Sequence, residues 1–215
     1  MERYLENRRD FLKTASAAFV FPLVFGCKGD TAAERSESDI LAAIKKNAIQ
    51  NPSNDWWGAR DAPADVKSKT IIITDADPGQ RIAINGTVYR SDGKTPAPNI
   101  LLYFYHTDVH GIYGRSGQHR HGRYRGWVLT DENGRYGFQT ILPASYPNST
   151  ISKHIHMTVT SVDFKEDWID SILFDGDRFI TERERIPNKG GFDPVLKLRK
   201  VENGFMHGTR DIRLA

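Results

Sequence analysis

The chain has 215 residues, 39% of them hydrophobic and 27% charged, enough for one well-buried domain with an extension. The formal net charge is +3 with both signs mixed along the chain, so charge alone marks no acidic or basic partner. No Lys/Arg stripe with interleaved aromatics occurs, which argues against nucleic acid; "RYRGWVLTDENGRYGF" carries arginines, but its Asp-Glu-Asn-Gly centre reads as a hairpin turn.

The N-terminal stretch "NRRDFLKTASAAFVFPLVFGC" pairs Arg8 with Arg9 and continues in an apolar run from Thr14 to Gly26. That run is too short for a membrane-spanning helix and fits a secretory signal. The arginine pair resembles a bacterial twin-arginine export signal; the alternative is a general secretory signal with a chance pair. Cys27, the single cysteine, follows the apolar run directly, as in a lipoprotein signal whose cysteine becomes the lipidated first residue; the alternative is an uncleaved anchor. The expected organisation is therefore a signal over 1–26, a tether and arm over 27–69, and a β domain over 70–215. The expected location is exported, periplasmic or at the cell surface, held to a membrane by lipid on Cys27.

Within the arm, "SDILAAIKKNAIQNPS" reads as a short helix capped by Ser38 or Asp39 and ended near Asn51-Pro52. Trp56 and Trp57 are placed to pin the arm to the domain or to a neighbouring subunit of a homo-oligomer. From Thr70 the texture changes to short alternating runs. "KTIIIT", "RIAINGTVYR", "NILLYFYHT", "RGWVLTD", "GRYGFQTIL", "KHIHMTVTS" and "DSILFDG" read as strands, with "SDGKTPAPN", "DENG" and "PASYPNST" as turn-rich connectors. This pattern predicts an all-β chain, an antiparallel β-sandwich of prealbumin or immunoglobulin type with an N-terminal irregular arm. The tail from Glu182 onward is charged and irregular, with "KLRK" and "RDIRL" as edge strands.

One strand carries chemistry. In "SKHIHMTVT" the two-residue period points His154 and His156 to the same face and Ile155 and Met157 to the other. A lone His-x-His fits a polar, solvent-facing edge as well as it fits a metal site. Tyr113 stands in a Gly-flanked loop and Tyr146 in a Pro-flanked loop eight residues before His154. A tyrosine in a turn is ordinarily a packed aromatic, yet a sandwich edge would bring all four side chains to one point. His106, His110, His119 and His121 fall within sixteen residues and read first as an exposed polar loop, with pocket acid/base groups or a supporting shell as alternatives.

Several blocks in order resemble one family. "GTVYRSDGKTPAPNILLYFYHTDVHGIYG", "YRGWVLTDENGRYGFQTILPASYP", "KHIHM" and "LFDGD" together cover residues 86–180 and resemble the intradiol ring-cleavage dioxygenases, non-haem Fe(III) enzymes that include catechol and protocatechuate dioxygenases. The resemblance implies Tyr113, Tyr146, His154 and His156 as iron ligands, with Tyr146 also catalytic as the ligand that leaves and accepts a substrate proton. It implies a catecholic substrate, O2, and a muconate-type product that holds both oxygen atoms. Two tyrosinate oxygens are hard anionic donors that favour Fe(III). The sequence departs from the family at Ile151, where an arginine is usual, and at Ser171, where a glutamine is usual. Arg125 matches a family arginine and is a candidate source of positive charge, as is Lys153. The alternative function is a non-catalytic, prealbumin-like binding module that keeps the frame; a zinc or copper site on the two histidines alone is a third.

Overall fold

The computed structural model describes residues 36–48, 58–114, 119–201 and 204–215. The arginine pair, the apolar run, Cys27, Asn51-Pro52 and Trp56-Trp57 lie outside the described residues.

The described part of the arm contains helix α1, Glu37–Ala48. Its cap is Ser36, not Ser38 or Asp39. The Asp39 N–H donates to Ser36 Oγ at 3.2 Å, and the Ser36 hydroxyl donates to Asp39 Oδ2 at 2.8 Å. Starting at Ser36 sets Asp39 three residues after the cap, where the two side chains satisfy each other, and brings Glu37 and Asp39 into the first turn, where the helix dipole favours acids.

The strands are β1 (Lys69–Ile71), β2 (Arg81–Tyr89), β3 (Leu101–Tyr105), β4 (Arg125–Leu129), β5 (Arg135–Ile141), β6 (His154–Thr160), β7 (Asp167–Phe174), β8 (Val195–Leu196), β9 (Arg199–Lys200), β10 (Met206–Thr209) and β11 (Ile212–Arg213). One sheet runs β1-β5-β2-β10-β9 with β11 also on β2; the other runs β4-β3-β6-β7-β8. The seven strands expected from the sequence are all present. The long pairings β2–β5, β3–β4, β3–β6 and β6–β7 are antiparallel. The short pairings β1–β5, β10–β2, β11–β2 and β7–β8 are parallel, so the sandwich is not antiparallel throughout. Parallel pairing needs a long return path, and the tail supplies one for β8, β10 and β11.

Between the sheets, Ile82, Ile84 and Phe138 face Leu102, Phe104, Val128, Ile155, Met157, Val159 and Ile172. Phe104 and Phe138 stack with centroids 3.9 Å apart. The outer face of the second sheet is also covered. At one end Leu101 and Leu129 pack under Leu41, Ile44 and Ala48 of α1. Glu166, fully buried, fastens the next part of the arm: it accepts the N–H groups of Gly58 and Ala59 at 3.0 Å each and the Thr158 hydroxyl at 2.6 Å. The Trp127 indole donates to the Gly58 carbonyl at 2.8 Å. Burial pushes the Glu166 carboxyl above its ordinary range, against the pull of those three donors.

Glu166→Ala removes the acceptor from two buried backbone N–H groups and a hydroxyl. We expect it to cost about 3 kcal/mol in urea unfolding, the scale of leaving buried donors unsatisfied. Unchanged stability would show that the arm is not held through this carboxylate.

Candidate metal centre

The two histidines of β6 project from the outer face of the second sheet, at the end away from α1. Ile155 and Met157 between and beyond them are fully buried in the core. The expectation of a site at a sandwich edge is therefore corrected to a site on a sheet face. The loop after β3 carries Tyr113 over this face, and the loop after β5 carries Tyr146.

The four side chains meet. Tyr113 Oη and Tyr146 Oη are 2.7 Å apart, Tyr146 Oη and His154 Nε2 3.4 Å, and His154 Nε2 and His156 Nε2 3.0 Å. Donors bound about 2.0–2.2 Å from one ion stand roughly 3 Å apart at neighbouring corners of its coordination shell, so the set fits a shared metal. Among the described residues no group of three or more His, Cys, Asp or Glu could hold a metal; the convergent set is two imidazoles and two phenols. Hard phenolic oxygens beside imidazole suit a small, highly charged ion such as Fe(III).

The loops are held by glycines. Gly111 has φ +78°, and a Cβ there would lie 2.1 Å from the Ser145 carbonyl oxygen, next to Tyr146. Gly122 has φ +67°, and a Cβ there would lie 1.6 Å from the Tyr113 carbonyl oxygen. Each glycine lets one backbone press against the segment that carries a tyrosine of the convergent set.

The surroundings favour the neutral forms of His154, His156 and Tyr113. Burial lowers His156 to about 3, helped by the nearby His154 and His121, and burial also lowers His154. Burial raises the Tyr113 phenol, and its hydrogen bond to Tyr146 raises it further. Ionising such a phenol near neutral pH requires a bound cation.

A wall of aromatic rings that the sequence reading missed backs the site. The Tyr105 ring lies 4.7 Å from His156 and stacks on His121 at 3.7 Å with 4° between the planes. Tyr103 Oη is 2.6 Å from His121 Nδ1, and Trp168 stands edge-on to His156 at 5.8 Å. Alternation along "LLYFY" was the available signal, since it sets Tyr103 and Tyr105 on the face that β6 gives to its histidines. The register confirms it by pairing Tyr105 with His156.

The histidine cluster divides. His110 and His119 are exposed, as expected, but His106 and His121 are buried. His106 donates from Nδ1 to the Thr107 carbonyl at 2.7 Å and accepts the Thr140 hydroxyl at Nε2, also at 2.7 Å, which makes it a satisfied core residue. Arg125 begins β4 opposite Tyr105, and its guanidinium donates to the Gly122 carbonyl. No described hydrogen bond joins it to the four donors. Ile151 is half exposed, and Ser171 Oγ lies 3.3 Å from His156 Nδ1.

Comparison with known proteins gives this geometry a context. A family model described as Dioxygenase matches residues 56–212, well over half of the chain. The chain belongs to the intradiol dioxygenase family. It is 37% identical over 75 residues to catechol 1,2-dioxygenase of Acinetobacter baylyi (strain ATCC 33305 / BD413 / ADP1), a match covering 33% of this chain and 24% of that protein. It is 28% identical over 154 residues to the protocatechuate 3,4-dioxygenase beta chain of Burkholderia cepacia, covering 66% of this chain and 61% of that one. The matches thus span from about a quarter to three fifths of these curated relatives. The fold is shared with the dioxygenase domain of a dioxygenase carbohydrate-binding protein fusion from Streptomyces sp. SirexAA-E, with TM-score 0.56, 21% identity and coverage of 78% of this chain and 97% of that one. It is shared too with mercury-inhibited catechol 1,2-dioxygenase from Acinetobacter sp. ADP1, at TM-score 0.56 and 22% identity, covering 70% and 57%.

Two outcomes test this description. Gly122→Ala should displace Tyr113 and part it from Tyr146. Gly176→Ala, at φ +84° with nothing within 4 Å, should show only the backbone strain of about 1–2 kcal/mol. A crystal structure of Gly122→Ala with Tyr113 unmoved would refute the glycine's role. The second outcome concerns acid stability. Burial lowers His106 from 6.5 to about 4, so below pH 6.5 the unfolded chain takes up a proton that the folded chain refuses. Stability should therefore fall as pH drops from 6.5 toward 4, by about 3 kcal/mol from this group. His106→Asn should flatten that part of the profile in pH-dependent urea melts, and an unchanged slope would show that His106 does not carry it.

Proposed function

We propose that the chain is an Fe(III)-dependent intradiol dioxygenase that opens catecholic rings between the two hydroxyl-bearing carbons and places both atoms of O2 in a muconate-type product. The observation that carries this reading is the convergence of two phenol oxygens and two imidazole nitrogens, with successive separations of 2.7, 3.4 and 3.0 Å, in a chain of this family. Tyr113, Tyr146, His154 and His156 would hold the iron. Bound there, Fe(III) would supply the charge that ionises the phenols and the electron withdrawal that lets a coordinated catecholate react with O2.

The chain's own residues divide the remaining work. His154 and His156 present Nε2 from a strand whose other face is locked in the core, so their separation changes little. Tyr146 sits in a loop, partly exposed, and its oxygen is the one placed to accept a proton from a catechol hydroxyl, with Tyr113 Oη 2.7 Å away. Tyr105 and Trp168 form the aromatic backing that keeps water from the inner side of the site. Arg125 matches a family arginine, and its position opposite Tyr105 supports a long-range charge contribution rather than direct contact. We propose further that the chain is exported and tethered through lipid on Cys27, so that its substrates are catechols met outside the cytoplasm.

The test is iron content together with O2 uptake on catechol. His154→Ala should lose the metal. Tyr146→Phe should keep part of it through the other three ligands and lower kcat by at least about 100-fold with a smaller change in KM. Full ring-cleaving activity in Tyr146→Phe would refute the assignment. Wild-type chain that binds a catechol tightly but consumes no O2 when loaded with Fe(III) would favour a binding module.

A further inference from the structure

We infer that Asp77 is a positioning residue for Tyr113: from the connector between β1 and β2 it clasps the returning half of the Tyr113 loop, and so sets where that phenol stands among the four convergent side chains.

Asp77 lies in the connector over residues 72–80, and its side chain is only 1% exposed. A tight turn presents the carboxylate. The Asp77 N–H donates to the Thr74 carbonyl at 3.2 Å, and the Thr74 N–H and hydroxyl donate to Asp77 Oδ2 at 2.7 and 3.0 Å. The rest of the carboxylate faces the loop between β3 and β4. Arg123 grips it with two prongs, Nη1 on Oδ1 and Nη2 on Oδ2, the second at 2.6 Å. The Tyr124 hydroxyl donates to Oδ1 at 2.8 Å. Burial opposes the charge on Asp77, but the donors from Thr74, Arg123 and Tyr124 outweigh it and hold the carboxyl at about 2.

One carboxylate that binds two neighbouring side chains leaves the backbone between them little freedom. That backbone supports Tyr113. Gly122, the residue before Arg123, presses on the Tyr113 carbonyl, and the Arg125 guanidinium holds the Gly122 carbonyl in turn. The Gly122 N–H donates to the His119 carbonyl at 2.7 Å, which closes the returning half on itself. No described hydrogen bond joins Asp77 to any of the four convergent side chains, so its influence passes through Arg123 and Gly122.

The outgoing half of the loop is anchored elsewhere. The Thr107 hydroxyl donates to the Ala144 carbonyl at 2.7 Å, and the Ala144 N–H donates to the Asp108 carbonyl at 3.1 Å. Those bonds set Tyr113 relative to the segment that carries Tyr146. The Asp77 clasp sets it relative to the body of the sandwich, because the connector leads directly into β2. The consequence for a bound metal rests on the proposed function; the placement of Tyr113 in the metal-free chain does not.

Two measurements on the full chain test it, in Asp77→Asn and in Arg123→Met. Arg123 is half exposed, so its variant supplies the result should Asp77→Asn fail to fold. The first is fluorine NMR of metal-free chain carrying fluorotyrosine, with the Tyr113 line assigned by its loss in Tyr113→Phe. That line should shift or broaden in both variants, while the line of Tyr89, at the far end of β2, keeps its place. A Tyr113 line unmoved in the folded variants would overturn the positioning role. The second is Fe(III) affinity, measured by competition with a chelator. It should fall about 10-fold in each variant. In a Tyr113→Phe background the same substitutions should lower it no further, because the residue they act through is already gone. A loss of equal size in that background would show that Asp77 supports the fold at large and not Tyr113. Wild-type chain that takes up no Fe(III) would refute the proposed metal function, and the metal-free NMR lines would still decide whether Asp77 places Tyr113.

Discussion

The site depends on the alternation of one strand. In β6 the core takes Ile155, Met157 and Val159, each buried against β2, β5 or β7 residues. Burying one such side chain is worth about 1.5–3 kcal/mol, and a one-residue slip would expose all three together while driving two imidazoles inward. The pairing of His154 with His156 on the outer face is therefore secured by the hydrophobic core rather than by anything at the site. β3 obeys the same rule, with Leu102 and Phe104 inside and Tyr103 and Tyr105 outside. A rigid outer face results, and the two loops need only be laid over it.

The loops are fixed by contacts of a different kind. Gly111 and Gly122 allow backbone to touch backbone beside each tyrosine. His121 returns the second half of the Tyr113 loop to the sheet through its stack on Tyr105 and its contact with Tyr103. The same array extends toward the arm, because Tyr103 stacks on Trp127 and Trp127 holds Gly58. Arm, aromatic layer and the cluster of two phenols and two imidazoles thus form one continuous surface along the second sheet.

Much of this was legible in the sequence. The seven strands, the shared face of the two histidines and the two tyrosine loops follow from period and turn chemistry, because each is set by residues close in sequence. What was not legible depends on residues far apart. The register shift between β6 and β7 that sets Ser171 beside His156 appears only once the two strands pair. The parallel strands of the tail depend on which strand the chain returns to. His106 and His121 looked like members of an exposed loop, because local polarity does not reveal that Thr140 waits to bond His106 and Tyr103 to meet His121 Nδ1. The helix cap moved to Ser36 because three candidate caps stand within four residues, and the choice between them is made by Asp39 three residues on.

Neutrality is the remaining theme. Burial holds the imidazoles uncharged and the Tyr113 phenol protonated, and Ile151 brings no charge of its own. A cation held there would have to be strong enough to ionise phenols. The most direct test is resonance Raman spectroscopy of the chain reconstituted with one equivalent of Fe(III), excited in its visible absorption band. The account predicts tyrosinate ring modes from two distinct residues, with one set lost in Tyr113→Phe and the other in Tyr146→Phe. A colourless protein, or a spectrum that neither substitution alters, would contradict it.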